Sequence, residues 1–510
     1  MTNREPLIDI KKLPKSRSFR EKGSETNENP QLSINLTYQV IIPDLINFLY
    51  AVRCDPKLKI NTALNYGCNE IMSKSKFKFT TVTAVIVANM IGTGVFTSLG
   101  FQLVDINSGF ALLLLWVVGG LTALCGAISY AELGATLPRS GGEYNFLSRI
   151  YHPAAGFVSG WISTTVGFAA PTALAAMTFS AYLTSSLMND VSPLVERAFA
   201  IILLASLAIV HATNHRNSGG TQVVFTTLKI AVILVFIFAA LVMVETPQPI
   251  SFSPAIDDFG VITSGTFAVT LIYVSFSYSG WNAATYLSSE IENPQKILPW
   301  VLITGTTIVT ILYLGLNFVF LYTTPMEAMV GEVEVGAIAA RMAFGDLAGG
   351  LFGVALALLL ISTVSAMTMA GPRVIQVIGE DFPRLKFLGQ TNSSGIPARS
   401  IYLQSAVAMA FILSSTFESV LVFAGFTMAL NTFASVLGLF ILRWRQPNLE
   451  RPYRAFLFPI PPLIFLALTG WTLIFTLLIR PVEVLFSFGV IVTGLIFYYF
   501  TSSDNKSESN

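Results

Sequence analysis

Hydrophobic and polar residues form long blocks along this chain rather than a short alternation. After a polar N-terminal stretch, runs of mostly apolar residues follow one another, separated by short segments rich in Gly, Pro and charged residues. A helix needs about 20 apolar residues to cross the roughly 30 Å hydrocarbon core of a bilayer. The pattern therefore predicts an all-α membrane protein with twelve transmembrane helices, at 79–103, 109–133, 154–187, 194–213, 221–244, 263–288, 299–322, 347–376, 400–416, 418–443, 456–479 and 482–500.

Residues 1–72 differ from the rest of the chain because they are polar and charged. Their apolar patch at 40–52 contains Pro43 and Asp44, is too short for a span and lacks the pattern of a signal peptide. We predict a cytoplasmic extension that is disordered or loosely associated with the membrane surface. Met72 opens a short basic flank of the first span, which gives the hypothesis that it is the natural start; mass spectrometry of the native N-terminus tests this.

The remaining boundaries follow from the spans. We expect a transporter core at 73–445 that holds spans 1–10, then spans 11 and 12 at 446–500 and a cytoplasmic tail at 501–510. Lys and Arg set the orientation, because cytoplasmic loops carry an excess of both. With the N-terminus inside, the outer side receives only Arg197, Arg341 and Arg480. The prediction is a multi-pass protein of the cell membrane with both termini in the cytoplasm.

Composition excludes several functional classes. Hydrophobic residues make up 53% of the chain and charged residues 12%, and the net charge of +1 gives no basic surface for nucleic acid. The three cysteines, Cys54, Cys68 and Cys125, are too scattered for a metal site or a disulfide framework. His211 and His215 have the spacing of a metal pair but no third ligand nearby. We therefore expect no metal, no cofactor and no enzyme activity, and a lipid bilayer as the surroundings.

Two spans carry residues that weaken a helix at its midpoint. The first contains ANMIGTGVFTSL, in which Gly92 and Gly94 are poor helix formers. The sixth contains small, polar and aromatic residues at 277–281. These spans are five apart, as expected if spans 1–5 and 6–10 are inverted repeats, and matching interruptions in two halves point to a transporter binding site. The bland alternative for the glycines is close helix packing.

The physics of a broken helix suggests the ligand. Each break creates a helix N-terminus with free N–H groups and a partial positive charge, and a C-terminus with free carbonyls. An α-amino acid carries a carboxylate for the first and an ammonium for the second. We expect the N–H groups of Thr93, Gly94 and Val95 to receive the carboxylate. Carbonyls near Met90 and at 276–279 would receive the ammonium.

Four motifs resemble the amino acid–polyamine–organocation superfamily. IGTGVF (91–96) resembles its glycine-rich signature in span 1, and FSYSGWNAATYLSSEIENPQKILP (276–299) is similar to its sixth span and the following loop. YAELGATLPRSGGEYNFL (130–147) resembles its 2–3 loop and AGPRVIQVIGED (370–381) the end of its eighth span. The matches cover about 79–445 in order. They look most similar to L-type amino acid transporters and bacterial amino acid exchangers.

The resemblance implies a LeuT-type fold, a 5+5 inverted repeat with discontinuous helices 1 and 6, and alternating access with substrate between spans 1, 3, 6 and 8. Gly92, Thr93 and Gly94 match the family's carboxylate-binding turn. Phe276 matches the aromatic residue that closes over the substrate, and Asn282 a position close to it. Ser279 departs from the L-type group, which often has Gly there, and this puts a bulky substrate in doubt.

Lys229 lies about eight residues into the fifth span, roughly 12 Å deep at 1.5 Å per residue. A charge at that depth is costly unless it is paired or solvated, although a lysine can also snorkel to the interface. The resemblance implies that its ammonium takes the place of a sodium ion between spans 1, 5 and 8. We therefore expect sodium-independent transport, with Lys229 bracing span 1 or coupling a proton.

Several residues keep two interpretations. On span 8, Ser362, Thr363 and Ser365 face either the pocket or a neighbouring helix, and we include Ser365 in the site. Trp281 either lines the site or packs behind it, and we also include it. Charges near the predicted cytoplasmic ends, including Arg139, Glu143, Glu290 and Glu292, are solvated loop charges by default and gating ion pairs as the alternative.

The prediction is a secondary transporter that moves neutral L-amino acids by exchange or proton symport, because no acidic or basic side chain other than Lys229 is expected in the pocket. Cationic amino acids and polyamines are the alternatives within transport, although a polyamine has no carboxylate for span 1. A sensor that binds an amino acid without moving it is the alternative from another class. Uptake of labelled amino acids into proteoliposomes distinguishes a transporter from a sensor, because a sensor would bind the amino acid without accumulation or counterflow.

Overall fold

The computed structural model describes residues 76–188, 191–213, 218–392 and 395–502, all within one structural unit, Lys76–Asn510. These residues are mainly helical, and the extended pairing among them is a bridge between Phe77 and Ile291. The fold of the described part is therefore all-α, as predicted. The predictions for residues 1–72, including Met72, and for His215 lie outside the described residues.

The longer helices have the following bounds: α1 (Phe79–Met90), α2 (Gly94–Gln102), α3 (Gly109–Thr136), α4 (Glu143–Ile150), α5 (Pro153–Leu187), α6 (Pro193–Thr213), α7 (Ser218–Met243), α8 (Ile256–Ile262), α9 (Gly265–Tyr278), α10 (Pro294–Thr323), α11 (Val335–Phe344), α12 (Asp346–Asp381), α13 (Ala398–Ser414), α14 (Phe417–Arg445), α15 (Ile460–Ile479) and α16 (Pro481–Ser502). Short helical turns lie in the connections at Met326–Ala328, Pro383–Leu385 and Lys386–Gly389.

Every predicted span coincides with one or two of these helices. Within the described residues, ten helical segments are long and apolar enough to cross a membrane, and the bent pair α8 and Gly265–Glu290 makes up to eleven. The ninth predicted span is α13, whose 17 residues measure about 26 Å and fall short of the roughly 30 Å hydrocarbon core. The chain is a multi-pass membrane protein, and the exact number of twelve spans stays a prediction.

Both predicted interruptions are present. The first span is broken at 91–93, between α1 and α2. The sixth is broken at 279–282, after α9, and continues as a 3-10 helix, Ala283–Glu290. Gly280 has a φ of +99°, which favours glycine because an L side chain rarely adopts that conformation. The discontinuity of spans 1 and 6 agrees with the sequence, whereas the inverted repeat stays a prediction.

The helices around the breaks pack directly on one another. α1 contacts α10, and α2 contacts α9, while α3 lies along α10 and α5 along α12. Within α5, the turn Ser163–Phe168 is a π-helix, a local widening that often occurs at functional sites. This packing brings the two breaks together in the interior, beside α5 and α12.

Candidate functional site

The ends of the two broken spans touch at Gly94 and Ser277. A Cβ on Gly94 would lie 2.5 Å from the Ser277 Cα, so no larger residue fits without a shift. A Cβ on Gly92 would have its nearest neighbour, the Thr363 Cγ2, at 3.6 Å, which is ordinary contact. Close packing therefore accounts for Gly94, although not for Gly92. The packing partner of Gly94 is the other broken span.

The first turn of α2 has free backbone donors. No group in the described part of the chain accepts a hydrogen bond from the N–H of Thr93, Gly94 or Val95. The first backbone bond of this turn is from Phe96 N to Thr93 O, at 3.0 Å. Thr93 and Val95 are buried. Three free N–H groups at a helix N-terminus attract an anion such as a carboxylate.

Tyr313 on α10 joins the carbonyl ends of both broken spans. Its hydroxyl lies 2.5 Å from the Met90 carbonyl oxygen and 3.1 Å from that of Ser277. No sequence pattern indicates this role, because Tyr313 is one aromatic residue in a long apolar helix. The hydroxyl holds the end of α1 and the end of α9 at a fixed separation.

The expected ammonium-binding carbonyls are partly occupied. Met90 and Ser277 carbonyls contact Tyr313, and the Phe276 carbonyl accepts from Ser279 N at 2.9 Å. By contrast, the carbonyls of Asn89, Tyr278 and Ser279 receive no hydrogen bond from the described residues. The carbonyls best placed for an ammonium are thus those of Tyr278 and Ser279, within the predicted range 276–279, and that of Asn89, next to Met90.

A cavity of about 350 Å³ reaches from the predicted cytoplasmic side to the break of span 6, within the volume range of about 300–1,000 Å³ typical of small-molecule sites. It ends at Asn89, Ser279 and Gly280. Its walls come from spans 1, 3, 6 and 8, the set that the resemblance implied, and from span 10 through Met428. Exposed Glu290 lies at its mouth.

A smaller cavity of about 60 Å³ lies behind the break of span 6. Phe276 and Trp281 line this smaller cavity, and Ser279 and Asn282 line both. Five other predicted residues lie at the junction of the breaks and line neither cavity: Met90, Gly92, Thr93, Gly94 and Val95.

The placement of Ser365 differs from the prediction. Its hydroxyl lies 2.8 Å from the Nε2 of His211 on α6, and it lines neither cavity. Cavity residues of the same helix include Ala366, Met367 and Ala370. The helical period turns Ser365 towards α6, so the helix-packing interpretation fits it better than substrate contact.

Lys229 is buried, with 4% of its surface exposed, and does not reach the interface. Its Nζ donates to the Thr363 Oγ1 at 2.7 Å and to the Ile91 carbonyl oxygen at 3.2 Å. The ammonium therefore joins spans 5 and 8 to the first residue of the break in span 1. Snorkelling does not describe this geometry, because the charge contacts the break itself.

Glu143 is a site residue that the sequence interpretation missed. Its two predicted interpretations are a solvated loop charge and a gating ion pair, but it is 1% exposed and its carboxylate contacts the neutral side chain of Asn282. Glu290 does behave as a surface charge, in an exposed ion pair with Arg373. The sequence feature that could have indicated burial of Glu143 is the pair of glycines, Gly141 and Gly142, directly before this acidic residue at the start of a helix.

Comparisons with known proteins agree on one family. Residues 77–502 match the family described as Amino acid permease. Large neutral amino acids transporter small subunit 2 of Oryctolagus cuniculus is 29% identical over 454 residues, covering 85% of this chain and 81% of that protein. The b(0,+)-type amino acid transporter 1 of Mus musculus is 27% identical over 428 residues, covering 81% of this chain and 85% of that protein.

Asc-type amino acid transporter 1 of Mus musculus is 26% identical over 440 residues, covering 84% of this chain and 81% of that protein. These relatives are transporters and not enzymes. The region that matches the family, residues 77–502, contains both broken spans. The chain belongs to the amino acid permease family.

Proposed function

We propose that this protein moves neutral L-amino acids across the cell membrane by alternating access, without sodium, as an exchanger or proton symporter. The observation that carries the proposal is the turn at Thr93–Val95. Three backbone donors without an acceptor among the described residues lie beside the carbonyl end of a second broken helix. An α-amino acid carries its carboxylate and its ammonium on the same carbon atom, so one molecule can bind both helix ends at once.

The proposed binding position lies between the two breaks, next to the end of the large cavity at Asn89 and Ser279. The carboxylate would bind the N–H groups of Thr93, Gly94 and Val95, and the ammonium would bind the carbonyls of Asn89 and Ser279. In hydrocarbon an unpaired backbone group costs several kcal/mol. A bound amino acid would supply partners to both breaks, so its affinity would come largely from the backbone.

Neutral side chains suit the walls next to the breaks. Pro171, Ser279, Asn282 and Met428 line the cavity there and carry no charge. The charged residues of the cavity lie towards its mouth on the predicted cytoplasmic side: Glu290, Arg373 and Glu380. A relative named for large neutral amino acids supports the same substrate class.

Lys229 supports sodium independence. Its ammonium donates hydrogen bonds to the Ile91 carbonyl oxygen and the Thr363 hydroxyl oxygen. These oxygens are ligands of the kind that a sodium ion would otherwise use. A fixed positive charge at this position can brace the break in span 1 without a bound ion. Protonation of the same amine offers a route for proton coupling.

A counterflow screen in proteoliposomes tests the proposal. Vesicles loaded with each of the twenty amino acids would be offered labelled leucine or alanine, with and without sodium and a pH gradient. We expect counterflow with neutral amino acids that sodium does not change. Binding without counterflow would indicate a sensor, selective exchange of lysine, arginine or spermidine would indicate a cationic substrate, and strict sodium dependence would refute the role of Lys229.

A further inference from the structure

The Glu143 carboxylate accepts hydrogen bonds from three neutral side chains. Tyr130 OH donates to its Oε1 at 2.9 Å and Asn282 Nδ2 to the same oxygen at 2.5 Å, while Tyr286 OH donates to Oε2. Gly142, the preceding residue, has a φ of +54°, and a Cβ there would lie 2.8 Å from the Tyr286 ring. The glycine turn thus brings the carboxylate into the interior.

No lysine, arginine or histidine of the described residues forms an ion pair with Glu143. A buried carboxylate without a cation is costly unless hydrogen bonds and dipoles stabilise it. Here the three donors and the N-terminus of α4, where Glu143 is the first residue, supply that stabilisation. The charge therefore makes strong, charge-assisted hydrogen bonds to its donors.

Glu132 on α3 provides an internal contrast. It is equally buried, but Arg443 lies at 2.6 Å and Arg451 at 3.4 Å, and Ala455 N donates to it at 2.7 Å. That carboxylate joins α3 to α14 and the following loop. Glu132 has the partners of a structural ion pair, and Glu143 does not.

The donors of Glu143 belong to moving parts of the proposed cycle. Asn282 ends the break in span 6, and Tyr286 lies in the 3-10 helix that follows; both line the large cavity. Tyr130 belongs to α3. If span 6 moved relative to α4, the buried charge would lose two of its three donors. Glu143 therefore favours the arrangement in which the cavity reaches the predicted cytoplasmic side.

We propose that Glu143 is a positioning residue of the transport cycle, which orients Asn282 and Tyr286 and stabilises the conformation with the cavity open to the predicted cytoplasmic side. The proposal rests on the proposed function, because it assumes that span 6 moves during transport. Glu143 acts through Asn282 and Tyr286 and does not itself contact the substrate.

Glu143→Gln, Asn282→Asp and the double variant test this role by counterflow. Gln keeps the shape but makes neutral hydrogen bonds, so we expect counterflow to fall about tenfold. Asn282→Asp places two carboxylates together and should reduce it further. In the double variant an amide and a carboxylate exchange places, so counterflow should recover above that of Asn282→Asp. A double variant no better than Asn282→Asp would overturn the direct contact.

Thiol labelling gives a readout that does not depend on transport. In a chain with Cys54, Cys68 and Cys125 replaced by Ser, Ala370→Cys places a thiol in the cavity wall. With Glu143→Gln, we expect a water-soluble maleimide to label this thiol several-fold more slowly in purified protein, because the open conformation is less populated. With Glu132→Gln as the matched control, we expect an unchanged labelling rate in the folded fraction.

The two assays separate the possible failures. If the wild type shows no counterflow but Glu143→Gln still slows labelling, the proposed function fails and the positioning role stands. If the wild type transports and Glu143→Gln matches it in both counterflow and labelling, the positioning role is overturned. Size-exclusion chromatography identifies folded protein, and slower labelling counts only for that fraction.

Discussion

The break in span 1 covers residues 91–93, and no residue in it has a positive φ. It is held from outside, by Lys229 on α7 and Tyr313 on α10. The break in span 6 covers residues 279–282, turns at Gly280 with a φ of +99°, and places Ser279 and Asn282 on the large cavity. Span 1 thus offers backbone N–H donors, and the side chains that hold its break come from helices far away in the sequence. Span 6 instead offers side chains that a glycine within its own break positions. A substitution far from span 1 should therefore disturb it as much as one within it.

The largest expected effect comes from removing the brace of span 1. Lys229→Met keeps the aliphatic volume but leaves the Ile91 carbonyl and the Thr363 hydroxyl without their buried cation. Hydrogen bonds from a charged donor contribute about 1.5–3 kcal/mol each, and the substitution removes two of them, so we expect amino acid counterflow to fall to background. Lys296→Met, at an exposed position on α10, is the control. Counterflow above half the wild-type rate in Lys229→Met would show that the break in span 1 keeps its conformation without Lys229.

The two glycines of span 1 provide a matched pair. Gly94→Ala would place a Cβ 2.5 Å from the Ser277 Cα, whereas Gly92→Ala meets ordinary contacts. Overpacking costs about 1–3 kcal/mol, so Gly94→Ala should reduce counterflow roughly tenfold or more and Gly92→Ala by less than about threefold. Initial rates and half-saturation concentrations are the measurements. Equal effects of both substitutions would contradict a steric contact between the two breaks.

Tyr313→Phe tests whether one hydroxyl group holds the ends of both broken spans. It removes the hydroxyl between the Met90 and Ser277 carbonyls, at a cost of about 0.5–1.5 kcal/mol per hydrogen bond. We expect about a threefold to tenfold higher half-saturation concentration with little change in expression. Tyr278→Phe, which removes a buried hydroxyl bonded to the Trp116 carbonyl, is the control. A rise in both variants would point to general packing.

The smallest expected effect belongs to Ser98→Ala. Ser98 Oγ lies 2.8 Å from Ser277 Oγ, but Ser277 Oγ also donates to the Tyr273 carbonyl at 2.8 Å, so it keeps a partner. A surviving hydrogen bond limits the loss to a few tenths of a kcal/mol, and counterflow should change by less than about twofold. A larger loss would mean that hydroxyl bonding, and not the Gly94 contact, holds α2 against α9.

Both breaks could be predicted from the sequence, because glycines and polar residues in the middle of apolar spans are visible along the chain. The same holds for Lys229, since an isolated charge in a span is conspicuous. Tyr313 and Glu143 were not identified as buried partners of the breaks. A tyrosine in an apolar helix and a glutamate after a loop have ordinary interpretations. For Ser365 the sequence left pocket and helix packing both open, because the period of a 36-residue helix does not say which side meets the cavity.

The sequence by itself determined the class of the protein, the places of the apolar spans and the positions where two of them break, because these depend on local composition and helix propensity. Only the tertiary structure decided which groups the breaks meet. Met90 and Ser277 share Tyr313, Ile91 meets Lys229, and Asn282 meets Glu143. Each of these pairs joins residues far apart in the chain. Such contacts are fixed by the packing of whole helices, and their cost or benefit depends on burial that no local pattern contains.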